Sequence, residues 1–285
     1  MRGIINHFAQ HVITGAGIAQ VAAENGIETT LRDVEERFVK RGLDTIKSFV
    51  GKKLAKGKLN QADHDQILGR LKGVTDMEEA VAGADMVIEA VFEDLTLKRN
   101  VFEELDRVCP KETILCSNTS TLSISKIAAA TKNPGRVIGT HFFSPAPLMR
   151  LVEVICGEQT EESVVSAALA FCEAVGKTPI RAKDVPGFIV NRFLCLLYNE
   201  AADQIFKGYA TPRDIDLGLK LGSNHPMGPV EIMDMAGIDV VNNALNALYE
   251  MTGEERYKPS PLFAEMIREN RLGRKSGRGF YVYEV

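Results

Sequence analysis

Short β-rich apolar runs alternate with helical periodicity over the first two thirds of the chain. The runs are HVIT at 11–14, IETTL at 27–31, MVIEAV at 86–91, TILCSN at 113–118, RVIGTHF at 136–142, LVEVI at 151–155 and TPIRA at 178–182. Runs this short, bounded by turn residues and spaced by helical stretches, predict an α/β fold with a doubly wound, largely parallel sheet of the Rossmann type. Between Asp33 and about Leu71 the pattern is helical throughout, with Phe38, Leu43, Ile46 and Val50 at steps of three to five, so a helical pair is inserted there. Asn60 reads as an N-cap, and Thr75 with Glu78 three residues later as a capping box. After Asp184-Val185-Pro186-Gly187 the texture changes. Phe188–Phe206, Pro212–Leu221, Val230–Met235 and Val240–Met251 are helical, with almost no strand pattern. The expected domains are therefore 1–184, α/β, and 185–285, all-α, with Pro-Gly at the boundary.

A length of 285 residues suits two domains, and 45% hydrophobic with 25% charged residues is ordinary globular composition. The net charge of -4 argues against nucleic acid or an anionic membrane as partner. Cys109, Cys116, Cys156, Cys172 and Cys195 are odd in number and lack a C-x-x-C pair, so they read as reduced thiols of a cytoplasmic protein. No apolar run approaches the length of about 18 residues that spans a bilayer.

Three places carry candidate chemistry. T-G-A-G-I-A-Q at 14–20 follows HVIT and precedes a helix, a strand and then Asp33, 18 residues after Gly15. Gly15 and Gly17 with an acid ending the second strand are parts of a dinucleotide site, where backbone approaches pyrophosphate and the carboxylate holds a ribose diol. Without the full G-x-G-x-x-G, a plain left-handed turn accounts for the glycines equally well. Asp33 favours NAD, because a carboxylate repels the 2′-phosphate of NADP. S-N-T-S at 117–120, His141 and Glu153 follow successive strands and suit the crevice where such sheets bind ligands. A histidine held by a carboxylate is a general base with a fixed tautomer, although a core histidine beside a surface glutamate has the same spacing. Lys47, Lys52, Lys53, Lys56 and Lys58 on the inserted helix are either a solvated face or a grip for a polyanion. The remaining histidines have no metal-ligand spacing, so no metal is expected.

S-N-T-S-T-L, H-F-F-S-P, L-V-E-V-I, D-V-P-G-F-I-V-N-R, N-H-P-M-G-P and L-G-R-K-S-G-R-G-F-Y-V-Y, in this order, resemble the L-3-hydroxyacyl-CoA dehydrogenases, most closely their bacterial 3-hydroxybutyryl-CoA branch. The likeness runs from about Gly15 to the C-terminus. It implies NAD-dependent oxidation of a short-chain 3-hydroxyacyl-CoA to the 3-ketoacyl-CoA, or the reverse, by a homodimer formed through the helical domain. His141 is then the base and Glu153 its partner. Ser120 bonds the 3-oxygen of the substrate, and Asn191 orients substrate and base. Asp33 holds the adenosine ribose; Glu93, Lys98, Ser120 and Ser144 line the cofactor site; Lys275 reaches it from the second domain. Ser48 and Lys56 correspond to positions that contact CoA.

Two departures stand out. Ser144 occupies a position where many relatives carry Asn, and it keeps a donor. In the family register Gln10 and Val12 replace two glycines that a tight phosphate-binding turn requires. Three accounts are open: a re-registered strand in which HVIT leads into Gly15 and Gly17, weakened NAD binding, or a compensated reading-frame error in the gene. The competing functional class is a non-catalytic, crystallin-like relative that binds acyl-CoA but not NAD.

Overall fold

The computed structural model describes residues 2–7 and 12–284, with side chains from Thr14 onward. Two compact units divide the chain, one ending at Phe188 and the other beginning at Ile189.

The first unit is built on one eight-stranded sheet: β1 Arg2–His7, β2 Glu28–Arg32, β3 Leu71–Val74, β4 Met86–Ala90, β5 Ile114–Ser117, β6 Val137–Phe142, β7 Leu151–Cys156 and β8 Thr178–Lys183. Its order is β3-β2-β1-β4-β5-β6-β7-β8, and every pair is parallel except β6/β7. The order reverses direction between β1 and β4, the place where doubly wound sheets open a crevice at the carboxyl ends of their strands. Alternate residues of each strand feed two cores. Met86, Ile88, Cys116, Ile138 and Val154 pack with α1 (Val12–Glu24), α2 (Glu36–Ala55), α3 (Gln61–Gly69) and α7 (Glu162–Ala174). Val87, Leu115, Val137 and Ile155 pack with α4 (Met77–Val81), α5 (Leu95–Val108) and α6 (Ile124–Ala128) on the other face.

Most predicted runs are strands at nearly the predicted places, and α2 and α3 form the inserted pair between β2 and β3. Asn60 caps α3 by accepting from the Asp63 amide at 2.8 Å. HVIT is a correction: Val12, Ile13 and Thr14 open α1, and the first strand is Arg2–His7 instead. Two apolar residues and a threonine followed by GAGIAQVAA form a mostly apolar run without a polar face, and such a run does not distinguish helix from strand. The re-registered strand is thereby excluded, while His11 and Gln10 lie outside the described residues. The cap expected at Thr75 belongs to Asp76, whose carboxylate accepts from the Glu79 amide at 2.7 Å; Asp is the better acceptor and needs no partner at Glu78.

The second unit contains α8 Val190–Phe206, α9 Pro212–Gly222, α10 Pro229–Ala236, α11 Ile238–Thr252 and α12 Pro261–Arg268 around one apolar core. Pro212, Pro229 and Pro261 each stand in the first turn of their helix, where the missing N–H costs nothing. No helix among the described residues is long and apolar enough to cross a membrane.

Candidate active site

The antiparallel pairing of β6 with β7 sets His141 directly opposite Glu153. Directly opposed side chains leave one face of a sheet side by side, so the contact follows from register. His141 Nδ1 lies 2.8 Å from Glu153 Oε2, and both side chains are almost wholly buried, at 6% and 0% exposure. At this separation Nδ1–H donates to the carboxylate, which leaves Nε2 as the nitrogen that can take a proton. The ring of Phe143 stands 4.5 Å from the imidazole and that of Phe188 6.0 Å, so its faces meet aromatic walls and little water.

Beside the dyad runs the segment that leaves β5. The parallel register pairing Ser117 with Gly139 carries residues 118–120 alongside the end of β6. Asn118 Oδ1 accepts from the Phe142 amide at 2.8 Å, tying this segment to the residue after His141. Glu93 Oε1 accepts from Thr119 Oγ1 at 2.6 Å and from the Ser120 and Thr121 amides at 2.8 Å each. Burial opposes the charge on Glu93, but the Lys98 ammonium and these donors outweigh it and hold the carboxyl below its ordinary range. Ser120 is half-buried at the open end of this loop, and Ser144 is exposed. Lys98 is buried, 2.7 Å from Glu89 Oε1.

At the other side of the switch point, Gly15 and Gly17 lie inside α1 and are buried. A Cβ on Gly17 would come within 3.2 Å of the Pro147 ring, so this glycine permits close packing of α1 on the segment after β6. The connection from β1 to α1 falls at 8–11, outside the described residues. Asp33 follows β2 and is fully buried. Burial pushes its carboxyl up to about 6, against the pull of the Val34 amide and the Arg32 charge. A carboxylate at the end of β2 is suited to accept two hydroxyl donors of a ribose diol, so Asp33 fits the adenosine end of a dinucleotide.

The inserted pair carries the charged surface. Arg37, Arg41, Thr45, Ser48 and Lys52 follow one another at steps of three and four along α2, opposite its buried residues Val39, Ile46 and Val50. A shallow groove lined by Arg37, Lys40, Arg41, Asp44, Thr45, Ser48 and Phe49 runs along this face, with Lys40 paired to Asp44. Lys56 is exposed at the C-cap of α2, whereas Lys53 pairs with Glu24 at 2.7 Å. Arg37, Lys40 and Arg41 were missed in the lysine count, although helical spacing would have found them. Asn118 belongs to the S-N-T-S stretch expected at the crevice; its tie to the Phe142 amide is visible only in the fold. Within the second unit, Asn191 stands in the first turn of α8, and Lys275 pairs with Asp239 at 2.5 Å.

Residues 13–185 match the NAD-binding domain model of 3-hydroxyacyl-CoA dehydrogenases, and residues 187–283 the C-terminal domain model of the same family. A probable 3-hydroxybutyryl-CoA dehydrogenase of Bacillus subtilis is 42% identical over 270 residues, covering 95% of this chain and 94% of its own. A 3-hydroxyadipyl-CoA dehydrogenase of Escherichia coli is also 42% identical, over 94% of this chain and 56% of its own. The crystal structure of an (S)-3-hydroxybutyryl-CoA dehydrogenase from Ralstonia eutropha superposes with a TM-score of 0.95 at 39% identity, covering all of both chains.

Proposed function

We propose, from the premise that the chain belongs to the 3-hydroxyacyl-CoA dehydrogenase family, that it oxidises short-chain L-3-hydroxyacyl-CoA to 3-ketoacyl-CoA with NAD and catalyses the reverse. The observation that carries this reading is the buried His141–Glu153 contact at 2.8 Å beside the Ser120 loop. Bound NAD supplies the hydride acceptor for C3. His141 Nε2 takes the hydroxyl proton as C3 is oxidised, and the Glu153 carboxylate stabilises the imidazolium through Nδ1–H. In reduction the same nitrogen returns that proton to the forming alkoxide. Ser120 donates to the 3-oxygen and orients it, and Asn191 of the helical domain positions substrate and base. Phe143 and Phe188 keep water from the imidazole, which strengthens its pairing with Glu153.

Asp33 holds the adenosine ribose, with Gly15 and Gly17 at the start of α1 and Glu93, Ser144 and Lys275 completing the cofactor site. The basic face of α2, with Ser48 and Lys56, grips the phosphates of CoA. We assign residues up to 184 to the cofactor-binding domain and those from 185 to a helical domain through which two copies pair. Leu221, Tyr209 and Phe193 of that domain are 82%, 76% and 71% exposed, large apolar side chains of the kind a second copy would cover. Five free cysteines agree with a reducing, cytoplasmic setting.

NADH oxidation with acetoacetyl-CoA, beside NADH titration by fluorescence, tests the activity. His141→Gln is expected to lower kcat about a hundredfold to ten-thousandfold with NADH affinity nearly unchanged. Wild-type turnover in that variant would overturn the reading.

A further inference from the structure

The first unit ends in a pinned turn whose last residue sets an aromatic ring beside His141. β8 closes at Lys183, and Asp184 follows. Both carboxylate oxygens of Asp184 are engaged: Oδ2 accepts from Ser123 Oγ and from the Ser125 amide at 2.8 Å each, and Oδ1 accepts from the Ile124 amide at 2.9 Å. These donors lie at the start of α6, three to five residues after Ser120. From this anchor the chain makes one turn, closed by the Phe188 amide donating to the Val185 carbonyl at 2.9 Å, with Pro186 and Gly187 at its centre. Pro186 presets its own φ, and Gly187 takes the left-handed φ of 74° that suits the second central position. Phe188 follows at φ 47°, a region that residues other than glycine rarely enter. Its side chain is 2% exposed, shares an apolar core with Ile124 and Ile127 of α6, and carries its ring 6.0 Å from the His141 imidazole.

We propose that Asp184 is a positioning residue that holds the Phe188 ring against His141. The proposal rests on the reading of His141 as the base given above. A left-handed phenylalanine does not keep its place by local preference. Such a conformation persists only where its surroundings over-determine it, and it concentrates where an active site uses the placement. Two constraints fix it here: the core takes the ring, and Asp184 fixes the origin of the turn four residues earlier. With the anchor loosened, residue 188 relaxes to an ordinary φ, the ring swings off the imidazole and water enters. Water there competes with Glu153 for Nδ1–H and weakens the charge pair on which proton transfer depends. Capping α6 is not a sufficient reason for Asp184. That helix already has Ser123 as its cap, whose Oγ accepts from the Lys126 amide at 3.2 Å. What the three bonds to Asp184 add is a tie between the start of α6 and the turn that ends at Phe188.

The test is a double-variant cycle in the full-length enzyme: Asp184→Asn, Phe188→Leu and the two together, with Ser123→Ala beside them. Each is measured for kcat, KM for acetoacetyl-CoA, NADH Kd and melting temperature. Asp184→Asn turns an N–H toward a donor that the carboxylate accepts from. It is expected to lower kcat about tenfold, with KM and NADH Kd within about twofold of wild type. Phe188→Leu keeps an apolar side chain but removes the ring, and a similar fall of about tenfold is expected. Because Asp184 acts through Phe188, the double variant is also expected to lose about tenfold, whereas independent losses would multiply to about a hundredfold. Should Asp184→Asn fail to fold, Ser123→Ala carries the test: a loss of about threefold in kcat that disappears in the Phe188→Leu background. Wild-type kcat in Ser123→Ala would then overturn the proposal. So would wild-type kcat in a folded Asp184→Asn, whatever its melting temperature, since Asp184 would then only staple the chain. A raised KM with kcat intact would place the effect on the Ser120 loop and overturn it too, as would losses that multiply in the double variant. Phe188→Leu with wild-type kcat removes the aromatic wall and the proposal with it, while the reading of His141 as the base stands or falls on His141→Gln.

Discussion

Both units bury carboxylates, and the two sets are satisfied differently. In the helical unit Asp216 and Asp234 are 3% and 1% exposed. Asp216 accepts from the Val230 and Glu231 amides and from the Tyr281 hydroxyl. Asp234 accepts from the Phe280 and Tyr281 amides and from the Tyr283 hydroxyl. Gly228 and Gly279 allow this, since a Cβ on either would collide with the carboxylate it faces. These acids use up their lone pairs on backbone and tyrosine, and what they fix is the course of the C-terminal segment. In the α/β unit Glu153 meets an imidazole, a group with a second nitrogen to offer, and Asp33 is pushed up to about 6 because burial exceeds what its neighbours return. A buried acid satisfied by amides staples the chain; one joined to a group with a spare valence is equipped for chemistry.

That contrast can be broken first at the dyad. Glu153→Gln keeps the shape but removes the charge that stabilises imidazolium, and kcat is expected to fall about a hundredfold or more while the melting temperature moves little. Comparable kcat in that variant would place Glu153 among the staples. The reverse is expected of Asp234→Asn, whose amide presents N–H to the Tyr281 amide: a loss of about 3 kcal/mol in stability with kcat/KM of the folded enzyme preserved, read by denaturant unfolding and steady-state kinetics.

Asp33 is intermediate and gives the pH dependence. Its folded pKa of about 6 lies above the ordinary 3.8, so the folded state disfavours its charge. The cost is absent below about pH 4, grows as pH rises toward 6, and is complete above that, amounting to at most about 3 kcal/mol. Asp33→Asn is therefore expected to melt higher than wild type at pH 8 and to match it at pH 4, while binding NADH about tenfold more weakly for want of the carboxylate. Equal melting curves at pH 8 would show that the charge is already well compensated. The smallest effect is expected from Tyr283→Phe, which takes one hydroxyl from Asp234: about 1 kcal/mol, or about 2 to 4 °C in melting temperature, with no change in turnover.

The strands at 86–91, 113–118, 136–142 and 151–155 were readable because each is a run of β-branched and apolar residues between clear breaks. β1 and β3 were not. RGIINH is short and half polar, and LKGV contains a lysine and a glycine, so neither has a pattern of its own; the pairing of β1 with β2 and β4, and of β3 with β2, makes them strands. α12, Pro261–Arg268, was likewise not read from the sequence. At the site, His141, Glu153 and Ser120 were legible through their motifs. Lys98 was read, with Glu93, as lining the cofactor site through E-D-L-T-L-K in the family likeness; its burial beside Glu89 has no trace in the linear order.

Periodicity and capping are local, set by which side chains lie two, three or four residues apart. Reading along the chain was therefore enough for the alternating class of the first unit, the helical class of the second, the inserted pair and most helix ends. Contacts between residues far apart are not local. His141 meets Glu153 because β7 runs antiparallel to β6 in one particular register, and a slip of one residue would turn one of them to the other face of the sheet. Lys98 lies between Glu89 and Glu93 because α5 packs back against the end of β4. These placements depend on how the sheet pairs and which helix covers it, and packing of the whole unit settles both.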